Sequence, residues 1–258
     1  MKRDRYQLQK NYGDYQEALI HLAGPSRSGM IWRVAHQFLT GAVPQLCYKG
    51  PAIPSENTSR QGGASPAIKS LMGSAIQPGM RVLDYGAGKY ARNADFLREQ
   101  GVEVYAYDLP GNAGDGDGWG KGSVSSNLPP KSPKFDVAFT AFVLNVVRCS
   151  DEKKIIQACR GLAKKTYHVT RNEELYQSVR DAVRDKRDPV WAFFKDVFAT
   201  KFHPAQDEIK RGYITDDTIR QLCLFGVQTS RGFQRWPNSE LNGLKKIREN
   251  QSFTVYEG

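Results

Sequence analysis

The sequence predicts an α/β fold with a largely parallel sheet, and three observations carry that reading. From residue 77 onward, short apolar runs alternate with stretches of helical periodicity, the pattern that builds strand–helix–strand units. Residues 81–93, Arg-Val-Leu-Asp-Tyr-Gly-Ala-Gly-Lys-Tyr-Ala-Arg-Asn, run from a strand through a Gly-x-Gly turn into a helix. Glycines at such a turn let the backbone bend sharply and come close to a ligand. A second strand, residues 102–107, ends in Asp108, 24 positions after Asp84, which sets a carboxylate at the tip of a neighbouring parallel strand. The expected architecture is an α/β domain over residues 76–258 with a seven-stranded sheet whose last strand is antiparallel. Residues 1–75 are expected to form a helical extension that caps the sheet at its ligand edge.

The elements follow in order. Residues 14–23 read as a short amphipathic helix ended by Gly24-Pro25. Residues 30–39 read as a second helix, with Ser28 as N-cap and Gly41 as its stop. Residues 50–63, rich in Pro, Ser, Gly and Asn, read as a loop. Ser65-Pro66 opens a helix to Met72, with the proline at the first helical position. After the strand at 82–84, residues 90–100 place Ala91, Ala94 and Leu97 at helical spacing. Residues 109–133 hold glycines at 111, 114, 116, 118, 120 and 122 and prolines at 129, 130 and 133, so the third strand and its helix are short or degenerate. Residues 135–147 give the fourth strand. Residues 151–162 give a helix with Ser150 as N-cap, and 165–170 the fifth strand. Helices follow at 173–186 and 190–198. Trp191, Phe194 and Phe198 lie near one face of the second, as a lid over a pocket or as core against the sheet. Thr215 caps a helix to Leu224, with Asp216 and Asp217 at its positive end. Residues 226–234 and 252–256 read as the sixth and seventh strands, joined by a partly helical 238–248.

Composition narrows the classes. The chain has 258 residues, 40% of them hydrophobic, enough for one sizeable core. No apolar run approaches the roughly 18–20 residues that cross a bilayer, and the start has no apolar secretory core, so the expected place is the cytoplasm. The four cysteines, at 47, 149, 159 and 223, lack Cys-x-x-Cys spacing and read as ordinary buried thiols, with neither a disulfide frame nor a zinc site. Asp115-Gly116-Asp117-Gly118 lacks the glutamate of a calcium loop and reads as a flexible glycine loop; no metal is expected. The net charge of +10 is uneven: residues 1–70 and 151–258 carry +5 each, and 71–150 balance. A polyanion, DNA or RNA, is therefore a candidate partner of the basic N- and C-terminal parts. Lys2, Arg3, Arg5, Lys10, Arg27 and Arg33, interleaved with Tyr6, Tyr12, Tyr15 and Trp32, suit phosphates and unstacked bases; a solvated helix face is the other reading.

Val-Leu-Asp-Tyr-Gly-Ala-Gly-Lys and the Tyr107-Asp108 pair resemble motifs I and II of the class I S-adenosylmethionine-dependent methyltransferases. Residues 135–147 resemble their fourth strand and motif IV region. The resemblance is closest to a poorly characterised bacterial and phage-type group. There the fourth strand runs into Val-Leu-Asn-Val, and a segment like Thr229-Ser230-Arg231-Gly232-Phe233-Gln234-Arg235 lies near the end of the domain. It spans roughly residues 77–258 and implies a Rossmann-like fold with S-adenosyl-L-methionine as cofactor. It further implies cofactor contacts from Asp84, Tyr85, Gly86, Ala87, Gly88, Asp108, Leu109, Asn127 and Phe142. Asp115, Asp117, Ser123 and Ser125 fall where the family meets the adenine. Neither motif specifies the acceptor.

Ligands of such sheets sit beyond the carboxyl ends of the strands. That rule nominates Asn145, after strand four, and Arg171 with Asn172, after strand five, as the residues facing a methyl acceptor. Asn145 offers a donor and an acceptor together, to orient an amide-like edge or to hold the cofactor's amino-acid part. Asp136 starts strand four, away from that edge, and His168 lies inside a strand, as a core or surface histidine; His203 stands beside Pro204 in a loop that could face the pocket. No general base emerges. The Pro-Pro signature of amino-directed adenine enzymes and the Pro-Cys of cytosine-5 enzymes are both missing, which weakens the two commonest DNA-base readings. The expected function is methyl transfer to nucleic acid. Transfer to a small molecule, or cofactor binding without catalysis, are the alternatives. A dinucleotide oxidoreductase is distant, because the third glycine of its fingerprint is missing.

Overall fold

A central sheet of six strands, in the order Glu103–Tyr107, Arg81–Tyr85, Phe135–Ala141, Ala163–Arg171, Phe253–Glu257 and Lys245–Glu249, organises the chain. The structure, a computed structural model, describes residues 47–50, 63–229, 232–237, 239 and 242–258. The expected helices at 14–23 and 30–39 and the basic residues up to Arg33 lie outside the described residues. Strands β1 (Arg81–Tyr85), β2 (Glu103–Tyr107), β3 (Phe135–Ala141) and β4 (Ala163–Arg171) run parallel. Strand β8 (Phe253–Glu257) pairs antiparallel with β4, and β7 (Lys245–Glu249) pairs antiparallel with β8. The chain steps from β1 to β2 on one side and returns to β3 on the other. The topological switch point therefore lies between β1 and β3.

One sheet face packs on helices α1 (Pro66–Leu71) and α2 (Arg92–Glu99). Ala67, Ile68, Leu71, Ala94 and Leu97 meet Val82, Val104, Val137, Phe139, Val169 and Val255 in one buried cluster. Ser65 caps α1 through its side chain, with the proline following, as the sequence implies. The other face carries Leu83, Tyr105, Tyr107 and Ala138 against Cys159 and Leu162 of helix α3 (Cys149–Leu162). Each fully buried large apolar side chain contributes about 1.5–3 kcal/mol.

Several expectations are corrected. The sheet has six strands rather than seven: the expected third strand, in the glycine-rich stretch after Asp108, forms only an isolated parallel bridge, Tyr107 to Ser125, the expected sixth lies outside the sheet, and Lys245–Glu249 adds one. Arg98 reaches over this edge and donates to the carbonyls of Val104 and Gly118, so the glycine stretch is stitched along β2 without becoming a strand. Gly118 sits at φ +86° with Tyr105 against it, and a side chain there would meet the ring at 2.8 Å. In place of one strand over 226–234, β5 (Val227–Thr229) pairs antiparallel with β6 (Gly232–Gln234) in a separate two-stranded sheet. Strand β7, exposed at every position, takes in residues 245–248 of the connection 238–248 expected to be partly helical. Charged residues on such an edge keep it from pairing with another chain. Helix α3 begins at Cys149 with no side-chain cap, so Ser150 is not its N-cap.

The helical half comprises α4 (Glu173–Arg184), α5 (Pro189–Phe193) running into a π-helical turn (Phe194–Phe198), α6 (His203–Arg211) and α7 (Asp216–Phe225). Phe194 and Phe198 are fully buried, and Phe198 meets Phe202 and Phe225 at 5.2 and 5.3 Å between centroids. These rings are core, not lid. Thr215 caps α7 as expected, accepting from the Thr218 N–H. His203 is the exposed first residue of α6 and not in a loop.

Cys47 and Cys149 form a disulfide with their Cα atoms 6.2 Å apart, contrary to the reading of all four cysteines as thiols; Cys159 and Cys223 are free and buried. A sequence separation of 102 residues offers no motif by which to recognise the pair. Closing a loop of that size stabilises by about 4–5 kcal/mol on chain-entropy grounds. Among the described residues, no helix is long and apolar enough to cross a membrane.

Candidate functional site

At the switch point, two loops that leave the carboxyl ends of β1 and β3 meet. Gly86, directly after β1, has φ +87°, and a Cβ built on it would lie 2.4 Å from Cγ2 of Val143. Only glycine fits both the backbone angle and this approach. The turn is held from β2: the Gly86 and Ala87 N–H groups donate to the Tyr107 carbonyl at 2.8 and 3.0 Å. Gly88 N–H donates to Oδ2 of Asp108 at 2.6 Å. Asp108 Oδ1 accepts from its neighbour Leu109 N–H at 2.7 Å and from the Asn112 amide at 3.1 Å. The carboxylate thus organises the Gly86–Gly88 turn, and Oδ2 keeps a lone pair for a further donor. Leu109 is 63% exposed beside it.

Asp84 lies in β1 just before the turn. It is fully buried, and among the described residues neither carboxylate oxygen has a hydrogen-bond partner of good geometry; the Ala94 N–H opposes the rise of its pKa only weakly. Burial first, and the Asp108 charge second, hold its carboxyl well above the usual carboxylate range. A carboxyl group held protonated in the fold stabilises the native state fully below about pH 3.8, its ordinary value. That contribution is lost as the pH rises through the raised native value. Asp84→Asn is therefore expected to raise the melting temperature at pH 7, with the gap to wild type closing toward pH 4. The scale is that of one unsatisfied buried group, about 1–3 kcal/mol, or roughly 2–4 °C per kcal/mol in a domain this size. Thermal melts across that pH range check it; a variant less stable at pH 7 contradicts it.

Tyr85 closes β1, with its ring 4.8 Å from that of Tyr107; burial and the neighbouring Tyr107 push its phenol up. Phe142, the first residue after β3, has φ +61° and donates its N–H to Val169 at 2.8 Å. A left-handed conformation in a bulky residue stores strain, and such strain concentrates at functional sites.

Beyond Val143, Asn145 is buried. Its amide donates to Gln234 Oε1 at 3.2 Å, and its backbone carbonyl accepts from the Arg235 N–H at 2.8 Å. Its Oδ1 has no partner. Arg235 is itself fully buried and paired through one guanidinium nitrogen with Glu152 in the first turn of α3; Asn242 donates to the other Glu152 oxygen. A buried ion pair thus holds the segment that holds Asn145.

The structure gathers Asp84, Tyr85, Gly86, Ala87, Gly88, Asp108 and Leu109 at the ends of β1 and β2; Phe142, Val143 and Asn145 lie in the loop after β3, where Val143 meets Gly86. Asn127 is exposed and its carbonyl accepts from the Tyr105 hydroxyl at 2.7 Å; no hydrogen bond links it to Asp108. Ser125, two residues earlier, takes the Asp108 N–H at 3.1 Å. Arg171 ends β4 and pairs with Glu174 at 3.7 Å on the surface, with no hydrogen bond to Asn145. Its neighbour Asn172 accepts from the Trp236 indole at 3.2 Å.

Asp136 sits at the opposite end of the sheet, bound to Lys164 and the Arg81 N–H. His168 is core: Nδ1 meets the Thr140 hydroxyl at 3.0 Å, and burial pushes its pKa down to about 3. Among the described residues, no cluster of His, Cys, Asp and Glu could hold a metal ion. Sequence reasoning missed Asn112, Val143, Glu152 and Arg235 as parts of this edge. Arg235 stood within the segment 229–235 already singled out, but its partner lies 83 positions away.

No family model matches the chain, and no curated protein matches it. Several solved structures are similar in chain path. A protein of Rhodobacter sphaeroides described as a zinc-dependent alcohol dehydrogenase is 11% identical, covering 76% of this chain and 90% of its own, with a TM-score of 0.41. Magnesium protoporphyrin IX methyltransferase of Synechocystis PCC 6803 is 13% identical, covering 74% and 78%, with a TM-score of 0.41. The 1,6-didemethyltoxoflavin-N1-methyltransferase of Burkholderia thailandensis is 13% identical, covering 70% of each chain, with a TM-score of 0.38. Their names differ in activity, and likeness at this level says nothing about substrate or residue roles.

Proposed function

We propose that this chain is an S-adenosylmethionine-dependent methyltransferase. The observation that carries the reading is the edge at the switch point: a Gly86–Gly88 turn tied to the Asp108 carboxylate, with Asp84 buried behind it. These residues fit the cofactor. Asp108 would receive a ribose hydroxyl on the remaining lone pair of Oδ2, and the glycine turn would let the backbone lie against the amino-acid part. Asp84 supplies a buried carboxyl group whose oxygens accept no hydrogen bond of good geometry among the described residues. The cofactor brings a methyl group already activated on a sulfonium, so the chain has to position the acceptor and exclude water. Asn145 Oδ1, buried in the loop after β3 and without a partner among the described residues, would orient an acceptor N–H or O–H. The third glycine that a dinucleotide would need is missing from the turn, which disfavours hydride chemistry.

The acceptor we favour is nucleic acid. The chain carries a net +10. Directly after the glycine turn, Tyr90 is 49% exposed, with the Lys89 ammonium 5.9 Å and the Arg92 guanidinium 5.4 Å from its ring centre. Neither cation has an acidic partner among the described residues. An exposed ring with two free cations at the mouth of the site suits a phosphate backbone with an unstacked base. A small-molecule acceptor fits the buried Asn145 equally well. Mass spectrometry of nucleosides after incubating the protein with the cofactor and DNA or RNA separates the two. Methylated nucleosides support nucleic acid. Their absence, together with no salt-dependent binding of labelled DNA or RNA at low ionic strength, would move the assignment to a small molecule.

A further inference from the structure

The geometry points to Cys47 and Cys149 as a redox-reactive pair whose reduction loosens the Asn145 side of the site and leaves the Asp108 side in place; the naming of those sides rests on the function proposed above. Both ends of the disulfide lead to one short segment. From Cys149, α3 runs three residues to Glu152, whose carboxylate holds the Arg235 guanidinium. From Cys47, the chain continues to Tyr48, whose ring stacks on Phe233 at 5.5 Å and whose N–H donates to Phe225 at 3.2 Å. Phe233, Gln234 and Arg235 are consecutive, and the last two hold Asn145. The disulfide therefore closes a ring: Cys149, Glu152, Arg235, Phe233, Tyr48, Cys47. The Asp108 side hangs on hydrogen bonds between the ends of β1 and β2 and contains no member of that ring.

The bond is placed to react. Both cysteines are half-buried, within reach of a small thiol. Cys149 is the first residue of α3, where the helix N-terminus stabilises a thiolate. The two acids of that turn are compensated, Asp151 by Arg148 and Lys154, Glu152 by Arg235. Cys159 and Cys223 are fully buried and inert by comparison; burial pushes the Cys159 thiol up to about 12. A dithiol reductant would attack Cys47 Sγ, breaking the bond and expelling the electron pair on Cys149 as thiolate, the better leaving group. The reagent's second thiol then displaces Cys47, so two cysteines are reduced and the reagent departs as a cyclic disulfide.

The test is hydrogen exchange with peptide mapping on the full chain, after oxidised glutathione and after dithiothreitol. Oxidised protein is expected to yield the Cys47–Cys149 linked peptide. Reduction is expected to speed amide exchange at least tenfold in residues 142–149 and 232–237, and less than twofold in 82–88 and 103–108. Cys47→Ser is expected to show the faster rates with or without reductant. Absence of the linked peptide after oxidation, or equal exchange in both states, would overturn the proposal. Neither readout uses methyl transfer, so a protein that fails to bind the cofactor sinks the proposed function and leaves this result standing.

Discussion

Glu152→Ala is expected to cost about 3–5 kcal/mol of folding stability, the scale measured when one partner of a buried ion pair is removed. In a domain of this size that is roughly 10–15 °C in melting temperature. The reason is the environment of Arg235. Its side chain is fully buried, Glu152 is equally buried, and Nε and one terminal nitrogen of the guanidinium have no hydrogen-bond partner among the described residues. Removing Glu152 leaves an uncompensated charge with no solvent within reach. The pair as a whole contributes much less than that, because desolvation offsets most of the attraction. Glu152→Leu combined with Arg235→Met is therefore expected to recover most of the lost stability. Recovery separates the cost of an orphaned charge from a cost of repacking α3. Calorimetric or optical melts of the two variants check this, and a double variant as unstable as Glu152→Ala contradicts it.

Gly86→Ala is expected to damage both fold and site. The backbone at φ +87° costs an alanine about 1–2 kcal/mol. The added Cβ would also stand 2.4 Å from Val143 Cγ2, so the β1 turn and the β3 loop must separate. Overpacking of this kind adds about 1–3 kcal/mol. The separation falls where the ligand edge forms, so the affinity for S-adenosylmethionine should drop by at least an order of magnitude. Val143→Ala in the Gly86→Ala background should relieve the clash and leave the backbone cost, recovering part of the stability. A double-mutant cycle measures the coupling; additive effects would show that the two loops do not meet there.

The sheet's centre was legible because it is local. Alternation of strand and helix, the Gly-x-Gly turn and the strand-end carboxylate all lie within residues 81–108, and periodicity and turn chemistry identify them without reference to the rest of the chain. The outer strands were harder. Residues 245–249 are Lys-Lys-Ile-Arg-Glu, a composition that also suits a helix, and only pairing with β8 decides the matter. The third strand, expected to be short or degenerate, forms only one bridge, because the glycines after Asp108 do not supply the side chains to build it. Of the candidate site, the Gly86–Asp108 turn was readable, and the contacts that hold Asn145 were not. Asn145 depends on Gln234, Arg235, Glu152 and the Cys47–Cys149 bond, contacts between positions 83 to 102 apart that leave no local trace.

The central claim is that the Gly86–Gly88 turn and Asp108 form an S-adenosylmethionine site, and titration calorimetry of wild type and Asp108→Ala tests it most directly. Asp108 accepts from three groups of its own chain and is proposed to accept from the ribose as well. Losing charge-assisted hydrogen bonds costs about 1.5–3 kcal/mol, or roughly 10- to 150-fold in affinity. The account predicts that wild type binds S-adenosylmethionine with one site per chain and that Asp108→Ala, still folded by circular dichroism, binds at least tenfold more weakly. Wild-type protein that gives no binding heat at several temperatures, or a folded Asp108→Ala with unchanged affinity, would contradict it.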